Sequence, residues 1–213
     1  SAFSQTNAID SLTTLLKTDK EDTNKVNHLN DLGWELMYIN PDTSILLANE
    51  AFELAIRIAG SSSATKNSMI KKAAQKGMAQ SNSDLGLYYE LKGDYSLSLA
   101  YHFKALEIRE TLNDKKGIAS SLNNIGNIYY YQGDYPKALE YFFKALKTNE
   151  ETGNKNGIAL NLGNIGNIYY DQGDYPKALE YYFKALKMNE VTGNKNGMAL
   201  NLGNIGNVYY SQA

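Results

Sequence analysis

Histidine, cysteine and paired carboxylates are the side chains that most often perform acid-base, nucleophilic or metal chemistry, and this chain of 213 residues holds only two histidines and no cysteine. Without cysteine there is no thiolate nucleophile, no disulfide and little prospect of a structural zinc site. His28 and His102 lie too far apart along the chain to pair. His102 stands where Phe142 stands 40 residues later, so it reads as a core substitution rather than a ligand or general base. Asp134 and Asp174 each open a helical segment, where a carboxylate caps free N–H groups before it acts as an acid. Gly163-x2-Gly166 and Gly203-x2-Gly206 have the look of phosphate-binding glycine runs. They fall inside helical segments with no strand before them, and so read as packing glycines. No catalytic residue, metal site or cofactor is therefore expected, and the chain is read as a non-enzyme.

Charge points the same way. Twenty-one basic and 23 acidic side chains give a formal net charge of -2, with a sequence pI near 5.7. No single-sign field is available to hold a phosphate backbone or an anionic membrane, so nucleic acid is not an expected partner. No run of about 18 apolar residues is present, so no segment reads as a membrane-crossing helix. Ala2-Phe3-Ser4 followed by Gln5 has the small-x-small form of a signal-peptidase site. The expectation drawn from it is a removed export segment ahead of Ser1 and a periplasmic or exported protein, the alternative being a cytosolic N-terminus.

The elements that position these residues are set by duplication. Residues 117–156 recur at 157–196 with 33 of 40 positions identical, and residues 77–116 match 117–156 at 16 of 40. A fixed period of this length marks a solenoid, in which each unit buries its apolar face on the next. Each unit reads as two helices: one over Ile118–Gln132, a turn at Gly133-Asp134, and a second from Tyr135 to about Glu150, stopped at Gly153. Pro136 sits in the first turn of the second helix, where its missing N–H is harmless. Leu122, Ile125, Gly126 and Tyr129 form the apolar stripe of the first helix, and Ala138, Leu139, Phe142, Ala145 and Leu146 that of the second. A helix glycine costs about 1 kcal/mol relative to alanine. Its recurrence at Gly86, Gly126, Gly166 and Gly206 therefore predicts close approach of the paired backbone, with Ala138 and Ala178 opposite and Phe142 and Tyr182 filling the space beside them.

This spacing resembles the tetratricopeptide repeat (TPR): Leu122, Ile125, Gly126 and Tyr129 followed by Ala138, Phe142 and Ala145, then Leu162, Ile165, Gly166, Tyr169, Ala178, Tyr182 and Ala185. The resemblance covers roughly residues 25–211. It implies an all-α fold, a right-handed superhelical solenoid of antiparallel helix pairs. The period is 40 rather than the usual 34, and Glu150 and Glu190 replace the family's late proline, which implies a longer second helix. The Asn-Ile-Gly-Asn-x-Tyr-Tyr core is similar to repeats of spindle-orientation adaptors, kinesin light chains and exported TPR segments of bacterial sensor kinases. Residues 1–20 read as an N-terminal segment with a capping helix over 7–17. Residues 21–213 read as about four pairs and the first helix of a fifth. In the first pair the second helix fits either Ser44, Ala48, Ala51 or Ala48, Phe52, Ala55, and 60–72 is an irregular connection or the start of an elongated helix.

The resemblance also implies a concave groove lined by first helices. It places Asn124, Asn127, Tyr130 and Tyr131 there, then Asn164, Asn167, Tyr170 and Asp171, then Asn204, Asn207 and Tyr210. Asp84, Leu87 and Glu90 fall at equivalent positions of the less regular repeat, and Trp34 reads either as a groove-facing anchor or as packing under the capping helix. Asparagine carries a donor and an acceptor that suit an extended peptide backbone, and tyrosine adds apolar area with a polar tip. The expected role is a protein- or peptide-binding scaffold; Lys and Arg are missing from the positions that form a carboxylate clamp in chaperone-binding TPRs, so an acidic C-terminal tail is not an expected partner. The same pattern is also what recent duplication of a solvated face would leave. Leu202, Ile205 and Tyr209 in the last helix would lie bare, which predicts a homodimer through the C-terminal repeats and a longer natural protein.

Overall fold

The computed structural model describes residues 2–212. Ser1, Ala213 and the side chains of Ala2, Phe3 and Ser4 lie outside the described residues, and with them the expected cleavage-site form. Every regular element among the described residues is an α-helix. The chain forms two compact units, divided after Asp114.

The first unit contains α1 (Ala2–Leu16), α2 (Thr23–Leu36), α3 (Pro41–Ala59), the short α4 (Ser62–Lys66), α5 (Ser68–Leu91) and α6 (Tyr95–Thr111). Both readings of 60–72 hold in part: α4 fills the connection, and α5, at 24 residues, is the longest helix of the two units. α3 packs between α2 and α5. Val26, Leu29, Ala51, Leu54, Ala55 and Ala74 form its main core. A second cluster of Met37, Ala48, Leu85 and Tyr88 decides the register of α3. Ser44 and Ala48 are fully buried while Phe52 is only half-buried. The small Ala48 takes the place of a ring, and the space over Gly33 goes to Tyr88 of α5, whose hydroxyl would lie 2.9 Å from a Cβ at that glycine.

The second unit stacks α7 (Lys115–Tyr131), α8 (Tyr135–Thr152), α9 (Lys155–Asp171), α10 (Tyr175–Thr192) and α11 (Lys195–Gln212). Its turns follow from the sequence. Asp134 accepts from the backbone N–H of Lys137 at 3.2 Å, and Asp174 does the same for Lys177. The side-chain hydrogen bond to Lys137 holds the Asp134 carboxyl below its ordinary range. Gly153 ends α8 at φ 67°, a left-handed position that costs glycine nothing.

The helix glycines serve a different neighbour from the one expected. A Cβ on Gly126 would lie 2.7 Å from two ring carbons of Phe142, and one on Gly166 would meet Tyr182 in the same way. At Gly86 the ring is the buried imidazole of His102. A side-chain ring, not backbone, thus occupies the space each glycine opens. Burying such a ring is worth roughly 1.5–3 kcal/mol, which exceeds the helix cost of glycine. Gly206 has nothing within 4 Å, and Gly163 and Gly203 are not packing glycines: the first meets only Asn201 at 3.8 Å and the second nothing.

Candidate peptide-binding groove

Within the second unit the first helices α7, α9 and α11 expose one continuous face. Three adjoining depressions mark it. One of about 80 Å³ is lined by Asn127, Tyr130, Tyr131, Asn164 and Asn167. A second, about 200 Å³, shares Tyr130 and Asn167 and adds Tyr170, Asp171, Asn204 and Asn207. The third, about 210 Å³, runs from Asn164, Asn167 and Asn204 past Gly163 to Leu160 and Leu200. Nine of the eleven groove residues named from the sequence line these depressions; Asn124, half-buried, and Tyr210, 86% exposed, do not.

Much of the amide chemistry is already engaged. Asn149 donates to Asn161 at 2.8 Å, and Asn161 donates to Asn123 at 2.9 Å. Asn164 donates to the same Asn123 oxygen at 3.0 Å, and Asn204 reaches Asn167 at 3.4 Å. Tyr182 donates its hydroxyl to Asn167 at 2.8 Å. Asn149, Asn161 and Asn123 are buried, so this is a structural ladder joining α7, α8 and α9, of the kind that holds one register when every member is paired. Among the described residues Asn124 and Asn207 make no side-chain hydrogen bond, and of the two only Asn207 lines a depression. Tyrosine hydroxyls also bridge repeats: Tyr130 donates to Asp171 at 2.6 Å, and Tyr170 pairs with Ser211 at 3.0 Å. Burial, followed by the bond to Asp171, pushes the Tyr130 phenol well above its usual range, so it stays a donor.

Two residues that the asparagine and tyrosine pattern did not single out complete the face. Leu160 is 55% exposed and Leu200 65% exposed, one repeat apart on α9 and α11. The signal was present: both lie off the Leu162, Ile165, Tyr169 stripe, and Leu160 replaces Ser120 of the preceding repeat. Asp171 is the one charged group lining the three depressions.

Two expectations are corrected. Ile205 does not lie bare: it is 7% exposed and packs with Val208 against Ala178 and Tyr182, because this position faces the preceding pair. Leu202 and Tyr209 are exposed at 56% and 55%. Asp84 of the first unit is buried, not groove-facing, and accepts from Gln80 at 2.8 Å. Trp34 is half exposed, and Leu87 and Glu90 are half-buried. Among the described residues no group of three or more His, Asp or Glu could hold a metal ion, and no helix is long and apolar enough to cross a membrane.

Comparisons with known proteins agree with this architecture. Tetratricopeptide repeat profiles match residues 77–151 and 159–190, together just over half of the chain. A search of curated protein sequences found no match. Among solved structures, the aspartyl phosphate phosphatase F from Bacillus subtilis superposes with a TM-score of 0.76 at 18% identity, over 89% of this chain and 46% of that one. A STAND signal-transduction ATPase with a tetratricopeptide repeat sensor, from Pyrococcus horikoshii, gives 0.76 at 21% identity, over 95% of this chain and 29% of the other. BtubC (BKLC) from P. vanneervenii gives 0.76 at 17% identity, over 98% and 82%. The chain thus spans less than half the length of the first two. At these identities the likeness is one of fold. Helix pairs with a glycine under a ring, repeated at a fixed period and matched by the family profiles, make this chain a member of the tetratricopeptide repeat family.

Proposed function

We propose that this protein is a non-catalytic scaffold that holds an extended, largely uncharged peptide segment along the α7, α9 and α11 face. The observation that carries this reading is the run of three adjoining depressions, with exposed Leu160 and Leu200 set among asparagines and tyrosines and only Asp171 charged. Exposed leucines in a concave, amide-lined surface favour an aliphatic side chain of the ligand, while Asn207, which lines the groove without a side-chain hydrogen bond, offers a donor and an acceptor to its backbone. A TPR face of this kind suits protein partners, and the sensor role named for the Pyrococcus horikoshii neighbour makes a sensing segment of an exported signalling protein the finer form of the proposal. Recovery of the natural protein uncleaved in the cytosol would remove that finer form alone.

Peptide-library selection on the purified chain, followed by affinity measurement against Leu160→Ser/Leu200→Ser, tests the groove. Both side chains are exposed, so the thermal midpoint should stay within about 2 °C while affinity falls at least tenfold, as expected for lost apolar burial at two contacts. Selection of no peptide, or equal binding by the double variant, rejects the reading. Self-assembly is the alternative, favoured by exposed Leu202 and Tyr209 on α11. Sedimentation showing a dimer that Leu202→Ser/Tyr209→Ser dissolves would support it, and a monomer at high micromolar concentration would exclude it.

A further inference from the structure

The amide ladder of the second unit is complete in one repeat and interrupted in the next. Around α9, Asn161 and Asn164 both donate to the side-chain oxygen of Asn123, at 2.9 and 3.0 Å, and Asn161 in turn accepts from Asn149 at 2.8 Å. Forty residues on, the same donors are Asn201 and Asn204 and the same outer amide is Asn189, but Gly163 stands where Asn123 stands. The shared acceptor is gone. Asn201 turns its NH2 group back to the carbonyl of Gly197 at 2.8 Å, and Asn204 reaches only Asn167 at 3.4 Å. Among the described residues the side-chain oxygen of Asn201 accepts no hydrogen bond and the NH2 group of Asn189 donates none, although these residues are only 4% and 3% exposed. That Asn201 oxygen lies 3.8 Å from the place of a Cβ on Gly163, with no other neighbour within 4 Å. A glycine that weakens its helix and admits no packing partner leaves room for something else. Gly163, Asn189, Asn201 and Asn204 all line the 210 Å³ depression, and its walls come from α9, α10 and α11 together, so the gap is bounded on both sides within the unit.

We propose that this gap seats a side-chain carboxamide, a glutamine or asparagine of the bound peptide segment, whose carbonyl oxygen takes the place of the Asn123 oxygen and accepts from Asn201 and Asn204. The proposal rests on the groove reading and adds the group that the segment must present. The preceding repeat shows the completed arrangement with the chain's own amide. Once a ligand carbonyl is in place, Asn201 is released from Gly197 and its oxygen faces the NH2 group of Asn189, so one ligand group completes a buried network. A carboxylate offers the same oxygen, but no charged residue lines this depression and its desolvation would go uncompensated. An aliphatic side chain would leave both donors without an acceptor.

The test is selection of a phage-displayed random heptapeptide library on the full chain, with sequencing of the bound pool. Gln or Asn should be enriched at least tenfold over input at one position, beside the aliphatic position that Leu160 and Leu200 favour. Gly163→Asn should fill the gap from within: the Gln or Asn preference disappears, the aliphatic one remains, and the thermal midpoint rises by about 2 °C or more as the ladder closes and a helix glycine is replaced. Circular dichroism of the variant should match the parent. A synthetic peptide of a selected Gln sequence should shift the side-chain amide NMR signals of Asn189 and Asn201, and the same peptide with Leu in place of Gln should not. Selected peptides with an aliphatic position but no Gln or Asn preference overturn the inference and leave the groove standing. A Glu preference in its place, or a Gln preference that survives in Gly163→Asn, overturns it as well. Selection of no peptide rejects the groove and this inference together.

Discussion

The two units solve the same packing problem with different chemistry. Under the helix glycine, the second unit places Phe142 and Tyr182, while the first places His102, whose two ring nitrogens are buried without a partner among the described residues. At the end of the second helix, the second unit uses the neutral pairs Asn154 to Asn149 and Asn194 to Asn189, at 2.9 and 3.3 Å. The first unit has Arg109 and Asp114 at those positions, with Arg109 buried and its guanidinium held below its usual range by that burial, against the opposing pull of Asp114 and Asp84. Asp84 is buried nearby. A shape-compatible slot thus accepts either an apolar ring or an imidazole, and either an amide pair or a charged one. The charged version links the stability of the first unit to pH, whereas the amide ladder does not titrate.

Exchanging the rings should give the largest effect. Phe142→His puts an unpaired imidazole where an apolar ring is buried and should cost ~2–4 kcal/mol, while His102→Phe should gain ~1–3 kcal/mol. Hydrogen exchange in α5, α6, α7 and α8 reads both changes; a stabilising Phe142→His would mean that imidazole finds partners in that slot. Next in size is Asn161→Ala, which leaves Asn149 and Asn123 short of a partner and should cost ~2 kcal/mol. Urea unfolding followed by hydrogen exchange in α9 measures it, and no loss would show that water replaces the amide.

The smallest effect is expected from pH, because two shifts oppose each other. Burial pushes the Asp84 carboxyl up to about 7, against the Gln80 hydrogen bond and Arg109, with Asp31 adding to the rise. Its contribution is present below the ordinary carboxylate range and is lost as pH rises through about 7. Burial, with Arg109 adding, holds the His102 imidazole down to about 4. Its contribution is present above the ordinary imidazole range and is lost as pH falls toward about 4. Between these limits the folded unit binds one proton more at Asp84 and one fewer at His102, so the slopes cancel. Trp34 fluorescence in urea should give a nearly flat midpoint for the parent over that window. Asp84→Asn should leave a midpoint that falls with falling pH, and a flat profile in that variant would break the assignment.

Periodicity made the helix pairs legible, because an apolar stripe that repeats with a turn signal between copies has one way to bury itself. The caps at Asp134 and Asp174 and the stop at Gly153 were equally readable, since each depends on local backbone needs. The register of α3 was not, because Ser44, Ala48 and Phe52 all fit locally and only Tyr88, arriving from α5 over Gly33, selects one of them. Leu160 and Leu200 were visible as letters. That they line a depression depends on what surrounds them.

The sequence by itself determined the repeat, the helical state, the turns and the family, because these arise from local propensity and from a stripe copied at a constant interval. Only the tertiary structure decided which atoms meet. It put rings rather than backbone over the glycines, turned several groove asparagines inward as a buried ladder, covered Ile205 and left Leu202 and Tyr209 open. Each of those outcomes depends on the neighbour that arrives from another helix, and a linear pattern carries no distance across that gap.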